Sequence, residues 1–484
     1  HYLACDFGAE SGRVMLGTLQ DGRLSLEELH RFPNSPIESR GSLHWNVPML
    51  FDEVQKGLRI AGERNLPISS TSVAGWGVDY LLVDVDGEII EPTFCYRDSR
   101  NQQGVDNVFA KLSWDEVYAE TGIQFLRINT LYQLGAETPD RLARAAKVLP
   151  LGDGFNYLLC GVARAEASMA STTQLYDPCK ADWSDKLLDA MGWPRDKFAE
   201  IVPSGTQLGT LKPELAEASG LGEIDVVATC SHDTGAAVAA VPAEGEDWAY
   251  LSSGTWSLIG IELPEPIISD QSRELNFTNE IGYGNTVRLL RNVIGLWIVQ
   301  ECRRIWEQEG QSYDYATLAR LATEAEPFVS LINPNDDRFF NPDNMPDTIA
   351  DFCRETGQAV PVSPGAFVRC ALESLALLYR RRLAGVTELT GRTINKLHIV
   401  GGGSKNTLLN QFAANACGLE VVAGPDEATA FGNIIVQAIA QGHLKDHAAA
   451  RHVIRDSTDL KTFQPQDKET WQAAYERYSA LADR

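Results

Sequence analysis

Two stretches of the chain run through the same order of elements, and this recurrence limits the fold more than any single motif does. The first begins with the short apolar run Leu3–Asp6, resumes as Val14–Leu19 after a glycine-containing turn, and passes through Asp21-Gly22 into Leu24–Leu29. An Asp-Gly pair between such runs signals a hairpin, because its tight turn needs positive φ at both central residues. Pro48 then opens a helical pattern with Leu50, Val54 and Leu58 at four-residue spacing. Ser72–Trp76 returns as a strand, and Asp86-Gly87 marks another turn.

The second stretch runs Ala249–Ser252, Trp256–Glu262 and Thr286–Leu290, then a helix through Leu296, Val299, Cys302 and Trp306. A strand at Lys396–Val400 ends in Gly401-Gly402-Gly403, and the helix carrying Leu408, Phe412 and Ala416 stops at Gly418. Leu419–Ala423 and a helix from about Asp426 to Ala440 complete it. Each stretch reads as a three-stranded meander feeding alternating helices and strands, which is an α/β pattern. Two such domains facing each other across a cleft are expected, over residues 1–242 and 243–465, with a terminal helix over 466–484. Pro, Ala, Glu and Gly interrupt the pattern at Pro242–Asp247, where the boundary is expected.

A chain of 484 residues suits two or three domains, and its 44% hydrophobic and 22% charged content is that of a folded protein. The formal charge of -24 repels nucleic acid phosphates and anionic membranes, so neither is expected as a partner. Nine cysteines include no C-x-x-C pair, which argues against a structural zinc site and suits a reducing compartment. Whether Cys353 and Cys370 pair is left open. No basic segment followed by an apolar run opens the sequence, and no stretch nears the roughly 20 apolar residues of a membrane span, so a cytoplasmic location is expected. Monomer and homodimer are equally open.

Four segments carry candidate chemistry. In Asp6-Phe7-Gly8-Ala9-Glu10-Ser11-Gly12-Arg13, an Asp at a strand end can hold a hydrated cation, glycines let backbone approach a ligand, and Arg13 can offset phosphate charge. The bland alternative is a glycine hairpin without a ligand. In Val226–Gly235 a buried strand ends in Ser231-His232-Asp233-Thr234, so Asp233 is expected at a helix start, ionised and able to accept a proton. A plain Asp N-cap is the commoner use of that position. Leu251–Ser257 places Gly254 and Thr255 at a strand turn, and Val400–Asn406 places three glycines between a strand and a helix, where a nucleotide can approach. G-x-x-x-x-G-K-[ST] and a strand-to-helix G-x-G-x-x-G are missing, which argues against P-loop and Rossmann chemistry.

In that order the four segments resemble the FGGY carbohydrate kinases of the actin and hexokinase superfamily. Within the family the likeness is greatest to members acting on L-rhamnulose. It rests on Trp76-Gly77-Val78-Asp79, Tyr96–Arg100, Gly122–Phe125, Asn129–Leu134, Ser252–Leu258, Gly295-Leu296-Trp297, Ile332–Phe339 and Leu397–Asn410. One departure is Val73-Ala74-Gly75, where those members carry an Ile-Asp-Thr-like stretch.

The resemblance implies two RNase-H-like domains flanking a catalytic cleft. It also implies transfer of the γ-phosphate of ATP, with Mg²⁺, to the 1-hydroxyl of the ketose. Carried over by motif, Ala9, Glu10, Ser11, Gly12 and Arg13 contact ATP, and Thr255, Gln300 and Gly402 line its site. Gly77, His232, Asp233, Thr234 and Asn292 form the sugar site, with Asp233 as proton acceptor; the residues themselves further suggest Asp79 for the sugar pocket and Asp6 for the metal. Two rivals remain: a kinase for another ketose such as L-fuculose or xylulose, and an actin-like ATP-binding protein that transfers no phosphate.

Overall fold

Asp21 and Gly22 have φ of 52° and 73°, so the hairpin closes with both turn residues in the left-handed region. It joins the strands Ser11–Gln20 and Arg23–Pro33, the outer pair of a six-stranded sheet. The computed structural model describes residues 1–8 and 11–482. Its residues fall into two units, His1–Pro242 with Glu262–Leu289 and Ala428–Thr458, and Ala243–Ile261 with Leu290–Glu427 and Asp459–Arg484.

In the first unit the sheet order is Thr206–Thr210, Asp225–Ala228, Ser70–Gly75, Tyr2–Phe7, Ser11–Gln20, Arg23–Pro33. Tyr2–Phe7 and Asp225–Ala228 pair in parallel with Ser70–Gly75, while the meander and the Thr206–Thr210 edge are antiparallel. Tyr2–Phe7 and Ser70–Gly75 are buried at every position, which fits strands covered on both faces. Ala74, in the segment departing from the expected Ile-Asp-Thr, lies in register with Asp6.

Helix Val47–Glu63 starts with Asn46 capping the Met49 amide and packs Gly57 against Val14. Helix Ala428–Ala440, far along the chain, belongs to this same unit. Its Gln437 donates to the Leu3 carbonyl and accepts from the Ser70 hydroxyl.

A second sheet, of seven strands, repeats the order with other residues and one strand more: Thr278–Ile281, Val287–Ile294, Trp256–Leu263, Trp248–Ser253, Lys396–Val400, Glu420–Ala423, Lys461–Phe463. Trp248–Ser253, Lys396–Val400 and Glu420–Ala423 pair in parallel, with an antiparallel edge at Lys461–Phe463. Helix Thr407–Cys417 ends on Gly418 at φ 68°, the left-handed cap its sequence calls for. The last helix runs Lys468–Ala482 and packs Trp471 against Phe328 and Phe412. All nine cysteines are free thiols, Cys353 and Cys370 included.

Within the first unit, helix Ala428–Ala440 meets helix Asp233–Ala239 at Gly432. A Cβ there would stand 1.8 Å from the Ala236 carbonyl oxygen, and backbone cannot rotate away. Gly432→Ala is expected to lower stability by about 1–3 kcal/mol, the usual cost of overpacking. Thermal unfolding of the two proteins checks this, and an unchanged Tm would contradict the packing.

Candidate active site

The site in the first unit forms where its parallel strands stop. Asp225–Ala228 pairs with Ser70–Gly75 only at Ser70 and Thr71. Beyond that the strands part, and the side chain of Asn156 fills the gap by accepting from the Val73 amide at 3.0 Å. The backbones rejoin at Gly75, whose amide donates to the Ser231 carbonyl at 2.9 Å and which pairs with His232. The carboxyl ends of three strands thus bring together Asp6, Gly75–Gly77 and Ser231–Asp233, the kind of place where open α/β sheets hold ligands.

Asp233 is the first residue of helix Asp233–Ala239, and His232 occupies the N-cap position. The plain N-cap alternative therefore does not describe it. Its Oδ1 accepts from the Thr234 amide at 2.5 Å and the Thr234 hydroxyl at 3.1 Å. The expectation that it stays fully ionised is corrected: burial, with the charge of Asp6 behind it, raises its pKa from 3.8 to about 7. Its side chain still keeps 28% of its surface accessible. A carboxylate poised near neutrality can take a proton from a bound alcohol.

Asp6 is 4% exposed and pairs with Arg13 at 2.5 Å. Arg13 thus offsets the charge of Asp6. Gly12 owes its identity to packing: a Cβ there would meet the Phe32 ring at 2.2 Å. The Ser11 hydroxyl accepts from Arg31 at 3.3 Å. Ala9 and Glu10 lie outside the described residues. Among the described residues no three His, Cys, Asp or Glu side chains gather as a metal cage. A buried carboxylate close enough to perturb Asp233 instead fits a hydrated divalent ion held through water, as Mg²⁺ is commonly bound.

The Trp76–Asp79 segment is held from behind. Val78 sits at φ 71°, a costly place for a β-branched residue. Its amide donates to Thr172, and its carbonyl accepts from Thr130 and Gln133. A Cβ at Gly77 would press on Thr172 at 3.0 Å. Asp79 is 1% exposed: Oδ2 accepts from the indoles of Trp45 and Trp76 at 2.5 and 2.8 Å, and Oδ1 from Gln133 at 2.9 Å. The expected sugar contact of Asp79 thus becomes support for two tryptophans. Nothing in the local sequence pointed to Trp45 or Gln133.

In the second unit the hairpin turn at Gly254-Thr255 docks on the start of helix Trp297–Gln308. The Thr255 carbonyl accepts from Gly295 and Trp297, and the Gly254 carbonyl from Leu296. Gln300 lies one turn along, with its Oε1 buried and unbonded. A Cβ at Gly403 would collide with the Ser253 hydroxyl, whereas Gly402 faces open space. Thr255 and Gly402 thus follow closely on the carboxyl ends of Trp248–Ser253 and Lys396–Val400, and Gln300 lies on the helix whose start meets the Gly254-Thr255 turn. A short 3₁₀ turn, Gly402–Lys405, separates the glycines from helix Thr407–Cys417. Asn292 lies half-buried on Val287–Ile294.

Burial lifts the Asp79 pKa from 3.8 to about 6, so the native state binds this proton more tightly than the unfolded chain does. The burial penalty is felt above about pH 6 and is relieved as pH falls toward the unfolded value. Relative to Asp79→Asn, the wild type is expected to gain up to about 3 kcal/mol between about pH 7 and 4. Urea unfolding of both proteins across that range checks the sign, and parallel curves would refute it.

The N-terminal domain of the FGGY family of carbohydrate kinases matches residues 1–240, and its C-terminal domain residues 249–441. A rhamnulokinase of Bacteroides thetaiotaomicron is 44% identical over 478 residues, covering 98% of each chain. Another from Ligilactobacillus salivarius is 41% identical over 465 residues, covering 96% of this chain and 95% of its own. Among solved structures, xylulose kinase from Lactobacillus acidophilus superposes with TM-score 0.82 at 14% identity, covering 100% of this chain and 97% of that one. Plasmodium falciparum glycerol kinase with ADP gives TM-score 0.79 at 14% identity, again covering 100% and 97%. These two likenesses bear on the fold alone, whereas the domain matches and the end-to-end sequence identity decide the family. The chain belongs to the FGGY family of carbohydrate kinases.

Proposed function

We propose that this kinase transfers the γ-phosphate of ATP to the 1-hydroxyl of L-rhamnulose, with Mg²⁺. The observation that carries the substrate is the 44% and 41% identity, over nearly the whole length, to proteins named rhamnulokinase. Phosphoryl transfer asks the protein mainly for positioning and charge balance. Asp233 takes the proton of the attacking hydroxyl as that oxygen becomes the nucleophile. Oδ1 already receives two bonds from Thr234, so Oδ2 is the oxygen left for the proton.

Asp6 would hold Mg²⁺ through water, and the ion would neutralise charge on the phosphates. Ala9, Glu10, Ser11, Gly12 and Arg13 contact the phosphates of ATP. Thr255, Gln300 and Gly402 take the rest of the nucleotide. Gly77, His232, Thr234 and Asn292 contact the sugar, while Trp76, braced by Asp79, walls the pocket.

Asp233→Asn is expected to lower kcat by about 10²–10⁴-fold, the usual share of general-base catalysis, with ATP affinity little changed. ADP release with L-rhamnulose, L-fuculose and xylulose reads both activity and preference. Wild-type turnover in Asp233→Asn would remove Asp233 from its role. Preference for xylulose or L-fuculose would replace the substrate. ATP binding with no phosphorylated sugar would favour a non-catalytic binding protein.

A further inference from the structure

His232 is 6% exposed and stands between charged neighbours. Its Nδ1 lies 3.1 Å from Arg288 Nη2 and 3.4 Å from Glu280 Oε2, and its Nε2 lies 3.4 Å from Asp233 Oδ1. Arg288 is fully buried. It pairs with Glu280 at 3.2 Å and donates to the Ile281 carbonyl from Nε and Nη2 at 3.2 and 3.1 Å. Its stem passes over Gly282, where a Cβ would stand 3.3 Å from Arg288 Cγ. The guanidinium is therefore fixed in place before any ligand arrives.

A guanidinium can only donate hydrogen bonds. The imidazole nitrogen facing it at 3.1 Å must offer a lone pair, which puts the proton of the neutral ring on Nε2. The other tautomer would aim Nδ1–H at a cation and leave a lone pair against the Asp233 carboxylate. Glu280 stands farther from Nδ1 and already faces Arg288. Burial and the charge of Arg288 hold the ring well below its usual pKa of 6.5, so it stays neutral.

We propose that Arg288 is a positioning residue that locks His232 in the Nε2–H tautomer, turning a third donor toward Asp233 Oδ1 and leaving Oδ2 as the basic oxygen. The inference rests on the reading of Asp233 as proton acceptor. The 3.4 Å separation is long for a hydrogen bond, as contacts around a catalytic base often are before substrate binds.

The test is long-range ¹H–¹⁵N NMR on full-length protein labelled at its 8 histidines, with His232 assigned as the signal missing from His232→Gln. The expected result is a single neutral ring protonated on Nε2, giving way to mixed tautomers in Arg288→Met. In the same variant kcat should fall about tenfold or more with KM for ATP unchanged, and Arg288→Lys should recover part of the loss. A wild-type ring protonated on Nδ1 overturns the proposal. So does a fall in kcat with the Nε2–H tautomer retained, which would make Arg288 merely structural. Should Arg288→Met not fold, the wild-type spectrum and Arg288→Lys decide. Failure of the wild type to phosphorylate any ketose would strike the proposed function and leave the tautomer result standing.

Discussion

One buried carboxylate fixes the turn on which the first unit's site depends. Glu166 is fully buried, and its Oε2 accepts from the Ser168 hydroxyl and from the Met169 and Ser231 amides. Its Oε1 accepts from Ser204. Four donors offset the cost of burying the group, and removing one would leave a charge unmet. Asp153, beside it, is pushed well above the carboxylate range by burial and by Glu166, so that one member of the pair stays protonated. The Ser231 amide is thus held, and its carbonyl pins Gly75. Asp233 starts its helix two residues further on, with no freedom to choose its direction.

What could be read in the sequence was what local chemistry decides. Asp21-Gly22 closes a turn because both residues take positive φ, and Gly418 ends a helix for the same reason. Asp6, Asp233, Thr255 and Gly402 could be placed from the sequence because short apolar runs break off beside them, and each does lie at a strand end or helix start. Long-range packing was not legible. Gly12 read as a place for ligand approach, but nothing in the sequence hinted that the Phe32 ring also lies where a side chain would be. Helix Ala428–Ala440 gave no sign that it would join a unit formed mostly by the first 242 residues. Glu166, Glu280 and Arg288 carry no local pattern. A buried charge is recognised only by its partners, and those come from 65 residues away for Glu166 with Ser231 and 56 for Arg288 with His232.

The same reasoning explains why the wall at Trp76 is stiff. A non-glycine residue in the left-handed region costs on the order of 1–3 kcal/mol, and a β-branched one sits at the upper end. Val78 stays there because Thr172, Thr130 and Gln133 each hold one of its backbone groups. At about 0.5–1.5 kcal/mol each, three such bonds roughly offset the strain. Asp79 then follows at the one angle that lets a single oxygen meet two indoles, Trp45 and Trp76, whose rings lie 4.5 Å apart. Strain at Val78 and a buried charge at Asp79 are both unfavourable alone, and each is tolerated because Gln133 bonds to the two residues at once. A side chain serving both costs makes the segment cooperative: it holds its shape as a whole, and the tryptophan face is set before any ligand touches it.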